Sequence, residues 1–373
     1  MTSSMTSTGE LNPKWTRNSA SEDELLFNTM KCARRIGRKG YIWDNNTRAP
    51  PTTLRCGSNN EDIMNQMDSI ISFYKTISFI GDSILAQQYF SFLCIMRNHS
   101  LTKKNFKRLC PTAYKVKKKE CNYELELLNN NSKTKLRYFK MGLLFQEREL
   151  YDYAFPMATD GNATYQDLVI VNLGVHYWPW DVDKLVKATE FVYNRSQNTN
   201  ATILFVESTD PQWQSTTGEF VKEFGWYPKY PCKALDSKRI KGEGNYTGPS
   251  HLIAHYQNSV NTYSGSKVFQ SMYPEYFARH PEYFGKNRSA SLCVPYCLPA
   301  NWRNDVTNAI LSKKSNTTRP VTIVPVWRQL IAHGVPHNIY NGDCTHKSMD
   351  AIIAMNQQLL REMKKKILAS REK

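Results

Sequence analysis

Four runs of this chain, TISFIG (76–81), DLVIV (167–171), ATILFV (201–206) and VTIVPV (321–326), are apolar or small on almost every successive residue. A strand with one wet face alternates apolar with polar. A strand that does not alternate must be covered on both sides. Between the runs lie helical patterns. SILAQQYFSFLCIMRN (83–98) is apolar on most sides, DVDKLVKATEFVYNRS (181–196) is amphipathic and opened by an aspartate, and MDAIIAMNQQLLREMKKKILAS (349–370) repeats Ile352, Met355, Leu359, Met363 and Ile367 at spacings of three or four. Buried strands alternating with helices predict an α/β protein, a three-layer α/β/α sandwich around a mainly parallel sheet. KLRYFKMGLLF (135–145) reads as one more strand of it.

The pattern breaks in two places. Residues 1–30 are polar and rich in Ser and Thr, and read as disordered. Residues 31–373 read as a single domain, long enough to bury one large core. Within it, residues from about 219 to 320 are rich in Tyr, Trp, Pro, Gly and Cys and show no clear βα unit, so they are expected to form an irregular minor lobe inserted into the sandwich.

Charge and cysteine content constrain the setting. The chain has 49 Lys and Arg against 33 Asp and Glu, a formal net charge of +16, partly in clusters at 103–108, 115–119 and 364–366. Such a surface suits nucleic acid, anionic lipid or an acidic polysaccharide. No helix-turn-helix, zinc finger or aromatic RNA-binding strand pair accompanies it, which disfavours nucleic acid. The nine cysteines are scattered rather than set in metal-knuckle pairs, and the one close pair, Cys293 and Cys297 with three residues between them, makes a weak zinc signal. Acceptors of the form Asn-x-Ser/Thr recur, at Asn45, Asn98, Asn130, Asn162, Asn194, Asn200, Asn245, Asn287 and Asn316. Scattered cysteines and glycan acceptors together point to the secretory pathway, the Golgi lumen or the outside of the cell. The first 26 residues contain no apolar core of a signal peptide, and no apolar run is long enough to span a bilayer, so a membrane link is expected only through an anchor missing from this version of the chain. With an odd number of cysteines at least one has no partner in the chain; Cys94, in an apolar helix, is the expected one.

The polar triplet Gly81-Asp82-Ser83 sits between the first strand and the first helix. A strand-to-helix turn at the carboxyl edge of a parallel sheet exposes a hydroxyl beside helix N–H groups. A serine there also suits a plain helix N-cap. To act as a nucleophile, the Ser83 hydroxyl needs a base. Of eight histidines, His346 has the strongest claim: GDCTH puts Asp343 three residues before it, between the last strand and the last helix, where a carboxylate can orient the imidazole.

GDS after a strand and DCTH near the C-terminal end resemble the SGNH hydrolase superfamily, in particular its PC-esterase branch, which includes the plant trichome-birefringence-like proteins. VIVNLGVHYW (169–178) is similar to that branch's Asn-x-Gly-x-His-Trp segment. FVESTDPQWQSTTGEF (205–220) resembles its Glu-Thr-Ser-Pro-Gln-His-Phe segment. The likeness spans about residues 32–360. It implies a triad of Ser83 as nucleophile, His346 as base and then acid, and Asp343 as its orienting partner. It further implies Asn172 and Gly174 near the oxyanion, His176, Tyr177, Trp178 and Trp180 at the mouth of the cleft, and Glu207 and Gln212 as substrate contacts or loop supports. The implied activity is O-acetyl transfer on carbohydrate, with no bound cofactor and an acetyl donor as co-substrate. Two departures stand out. The superfamily's second glycine block is at best Gly142, and Ser348 stands where the branch usually carries a cysteine.

Three functions compete: a polysaccharide or glycan O-acetyltransferase, an acetylesterase of the same fold, and a secreted carbohydrate-binding protein without turnover. A basic chain made for acidic carbohydrate should be retained by a pectin-like or heparin-like column to higher salt than by a DNA column. Equal or stronger retention on DNA would restore the nucleic-acid reading.

Overall fold

The computed structural model describes residues 69–95, 106–109, 122–129, 132–141, 150–177, 182–209, 267–274, 300–313, 320–327, 330, 337–338, 343–347 and 349–372. For 90–95, 106–109, 122–129, 132, 140, 337–338 and 343–346, among others, the description extends to the backbone alone. The protein is α/β. Among the described residues nine strands run in chain order as β1 (Thr76–Gly81), β2 (Phe106–Leu109), β3 (Asn122–Asn129), β4 (Ser132–Lys140), β5 (Asp167–Val171), β6 (Thr202–Val206), β7 (Thr322–Val324), β8 (His337–Asn338) and β9 (Asp343–Lys347). The helices are α1 (Ser83–Ile95), α2 (Phe155–Ala158) preceded by a π-turn (Leu150–Ala154), α3 (Val182–Ser196), α4 (Lys267–Met272), α5 (Trp302–Leu311) and α6 (Met349–Arg371).

Seven strands form one sheet in the order β2-β3-β4-β1-β5-β6-β7. The five from β4 to β7 are mutually parallel, while β3 pairs antiparallel with β4 and β2 antiparallel with β3. Renumbered by themselves, the parallel strands run 2-1-3-4-5, the second common doubly wound order, whose connections reverse direction between the first and third strands. That switch point lies between β1 and β5. The antiparallel pair β2-β3 was not expected. Tyr123, Leu125 and Leu127 alternate with Glu124 and Glu126, the period of a strand with one wet face, whereas the sequence reading looked for continuously apolar runs.

The strands sort their side chains onto two cores with a period of two. Ile77, Phe79, Leu168, Ile170, Leu204 and Val206 join α1 and α6 in one cluster. Ile80, Val169, Val171, Ile203 and Phe205 join α2, α3 and α5 in the other. These are the three layers. Helices of βαβ units that advance in opposite directions along a sheet fall on opposite faces when each crossover is right-handed, which explains α1 on one face and α3 and α5 on the other. The expected stripe of α6 is buried throughout: Ile352, Met355, Leu359, Met363 and Ile367.

Most of the expected lobe, 219–320, lies outside the described residues, as does residue 142. Residues 302–311 within it are regular: α5 packs its Trp302, Val306, Ile310 and Leu311 into the second core, on the face of the sheet that α3 covers. Its pattern escaped sequence reading because Arg303, Asn304 and Thr307, polar by type, are also buried. Among the described residues no helix is long and apolar enough to cross a membrane.

Leu359 is fully buried between α6 and the sheet, so Leu359→Ala should lower the unfolding free energy by about 2–5 kcal/mol in urea titration. Arg361→Ala, two residues away on the exposed face, should change it by less than about 0.5 kcal/mol.

Candidate active site

The carboxyl edge of the sheet is lined by the segments that leave β1, β5 and β6. Ser83 follows β1, Asn172 to Tyr177 follow β5, and Glu207 to Thr209 follow β6. Ser83 and the Asn172–Gly174 segment therefore flank the switch point between β1 and β5, the crevice where ligands bind in folds of this order.

Asp82 organises the turn. Its side chain is 2% exposed. Oδ1 accepts the backbone N–H groups of Ile84 at 2.8 Å and Leu85 at 3.4 Å, so Asp82 is the N-cap of α1. Ser83, half-buried, occupies the first helical position, and the capping role open to it in sequence is filled by its neighbour. Oδ2 of Asp82 reaches across to accept the N–H of Val175 at 3.0 Å. One carboxylate thus joins the start of α1 to the loop after β5.

Two glycines make room for this. A Cβ on Gly174 would land on Asp82 Oδ2. On Gly81 it would lie 2.8 Å from Leu85 Cδ2 and 2.9 Å from the Asn172 carbonyl oxygen. The turn is braced further by Tyr138 of β4, whose hydroxyl donates to the carbonyl of Asp82 at 3.0 Å, and by the Met141 N–H, which donates to the Gly81 carbonyl at 2.8 Å.

Asn172, 2% exposed, is a tie between strands. Its N–H donates to the Ile80 carbonyl, and Nδ2 donates to the carbonyls of Val206 at 3.0 Å and Glu207 at 3.2 Å. Both amide hydrogens being held by β6, the side chain faces Gly174 with its oxygen, an acceptor that repels an oxyanion. Of the two ways in which Asn172 could serve an oxyanion, by its amide or by the backbone of its segment, the amide is committed to the chain leaving β6.

Glu207, 7% exposed, is held on both oxygens. Oε1 accepts Nδ2 of Asn308 on α5 at 3.0 Å, and Oε2 accepts the Trp327 N–H after β7 at 3.1 Å. It is a loop support rather than a surface for a ligand. Beside it Asn304 brackets Ser208, accepting its N–H at 2.7 Å and donating to its carbonyl at 3.0 Å.

His176 is half-buried on the loop after Gly174. Tyr177 departs from its expected place at the cleft mouth: it is buried in the second core, and its carbonyl accepts Nε of Arg303 at 2.8 Å. Arg303 is itself buried, its guanidinium 4.6 Å from the Trp302 ring centroid. Trp178, Trp180 and Gln212 lie outside the described residues.

Strand β9 carries Asp343 and His346, whose side chains are outside the description, as are the cysteine pairing and the side chain of Cys94. The backbone of β9 meets α1. Gln87 Nε2 donates to the Lys347 carbonyl at 3.2 Å, and the Lys347 N–H donates to Gln87 Oε1 at 3.2 Å. Gln87 lies one helical turn past Ser83, and Lys347 directly follows His346. His337, on β8, pairs with Lys347 from the other side. The sequence reading missed Gln87, although a glutamine pair, Gln87-Gln88, in an otherwise apolar buried helix was a visible signal.

Among the described residues no group of three or more His, Cys, Asp or Glu side chains converges to hold a metal ion. The described glycan acceptors, Asn162, Asn194 and Asn200, are all exposed and lie where the chain enters β5 and β6, at the edge of the sheet opposite Ser83. Comparison with protein-family models and with curated proteins finds no match.

Gly174→Ala should cost about 1–3 kcal/mol in urea unfolding, because the added methyl displaces the Asp82 carboxylate. Gly161→Ala, with open space at its Cβ, should cost less than about 0.5 kcal/mol. Equal losses at the two positions would remove the interlock between α1 and the loop after β5.

Proposed function

We propose that this chain is a carbohydrate O-acetyltransferase that works through an acetyl-Ser83 intermediate. The observation that carries the reading is the meeting of β9 with α1 within one helical turn of Ser83. It draws the segment holding Asp343 and His346 to the nucleophile's helix from 260 residues away. A serine at a switch point without such a partner would be a turn residue.

In the first half-reaction Ser83 Oγ attacks the acetyl carbonyl of the donor while His346 takes the hydroxyl proton. The carbonyl oxygen becomes an oxyanion, and the backbone N–H groups of Ser83 and Gly174 are the donors assigned to it. Collapse expels the donor's oxygen, which leaves with the proton from the imidazolium, and Ser83 is acetylated. In the second half a sugar hydroxyl attacks this ester while His346 takes its proton; collapse breaks the bond to Ser83 Oγ, the imidazolium returns the proton to that oxygen, and the acetylated sugar departs. Asp343 stabilises the imidazolium that forms in each half. An acetylesterase would differ only in admitting water as the second acceptor. The family resemblance favours transfer.

The charge supports an acidic carbohydrate acceptor. Beyond the net +16, α6 exposes Arg361, Lys364, Lys365 and Arg371, with Lys365 paired to Glu362 at 2.7 Å. Exposed Asn162, Asn194 and Asn200 support passage through the secretory pathway, since glycans on them would stand clear of Ser83.

The test is incubation with a generic acetyl ester followed by intact mass. Wild type should gain one acetyl group, and Ser83→Ala none. Absence of labelling and of turnover with every ester tried would leave the carbohydrate-binding reading in its place.

A further inference from the structure

Strands β8 and β9 form a sheet of their own, and among the described residues no backbone hydrogen bond joins it to the seven-stranded sheet. The strand bearing His346 is therefore not registered by the ladder that aligns β1 with β4 and β5. Helix α6 follows β9 and touches it, and from α1 a side chain bonds its backbone. The primary amide of Gln87 gives one donor and one acceptor to the carbonyl and N–H of Lys347, both at 3.2 Å. That reciprocal pair is the pattern two residues exchange across an antiparallel ladder. Gln87 is 1% exposed and Lys347 is buried, so water does not compete for these bonds. Ser83 and Gln87, four residues apart, lie on one face of α1.

We propose that Gln87 is a positioning residue: its amide stands in for a strand edge, fixes the register of β9 against α1, and so sets the approach of His346 to Ser83. The tie is independent of the chemistry; its catalytic consequence rests on the acyl-transfer reading above. The requirement is specific to an amide of this length. Methionine fills the space without either bond. Glutamate keeps the acceptor but turns a second acceptor toward the Lys347 carbonyl, except when protonated, when its O–H replaces the lost donor.

Two measurements on the full chain test this. Hydrogen exchange should show the Lys347 amide opening at least tenfold faster in Gln87→Met, with the amides of β1 and β5 unchanged. In Gln87→Glu, protection of Lys347 relative to the intrinsic exchange rate should rise as pH falls through the titration of the new carboxyl. That comparison uses one protein at two pH values and stands even where the methionine variant fails to fold. Acetyl loading from a generic acetyl ester should slow at least tenfold at saturating ester in Gln87→Met, with the half-saturating concentration unchanged, because the base is displaced and the pocket is not. Unchanged Lys347 protection in both variants overturns the tie. A loosened β9 with an unaltered loading rate overturns the positioning role. If wild type takes up no acetyl group while Lys347 protection follows Gln87, the acyl-transfer reading falls and the positioning role with it, and the tie remains as structure.

Discussion

The carboxyl edge of this molecule depends on a carboxylate with almost no access to water. Asp82 caps α1 with one oxygen and holds the loop after β5 with the other. A buried carboxylate without donors is costly, and here three backbone N–H groups supply them. Because those donors come from two separate segments, the same side chain brings the first turn of α1 and Val175 together. Gly174 and Gly81 follow from this. Each sits where a side chain would collide with the pieces being joined. The direction in which α1 leaves the sheet, and hence the place of Ser83, is a consequence of the same bond set.

Around this turn the segments after β5, β6 and β7 are tied in sequence. Asn172 bonds the backbone that leaves β6, Glu207 bonds both α5 and the chain after β7, and Asn304 brackets Ser208. Parallel strands leave their carboxyl ends as a row of separate loops, and short polar side chains hold that row together where no ladder can. These bonds fix the backbone beside the β1–β5 switch point, the crevice where ligands bind in folds of this order. Polarity at the rim and burial of its polar groups are thus parts of one design: residues read as possible ligand contacts, such as Glu207, serve to hold the platform on which contacts can be made.

Much of the scaffold was legible in sequence because local pattern and tertiary burial agree. Val169 and Val171 face one core and Leu168 and Ile170 the other, so β5 had to be apolar throughout. The stripe of α6 is read by its period and buried as read. Where burial and residue type disagree, reading failed. Helix α5 buries an arginine and two other polar residues and was taken for irregular chain; Tyr177 was placed at a cleft mouth and lies in a core. Gln87 belongs with these: a polar residue deep in an apolar helix announces a partner, but the partner is 260 positions away.

By itself, then, the sequence determined the α/β class, the strands that run buried between helices and the turn at which Ser83 opens α1, because each is encoded by residues within one segment. The tertiary structure alone decided the strand order, the assignment of the cap to Asp82 rather than Ser83, the use of Asn172 and Glu207 as ties, and the meeting of β9 with α1. All of these are satisfied hydrogen-bonding demands of buried polar groups. Such a demand is visible in a sequence, whereas the group that answers it is chosen by the packing of the whole chain.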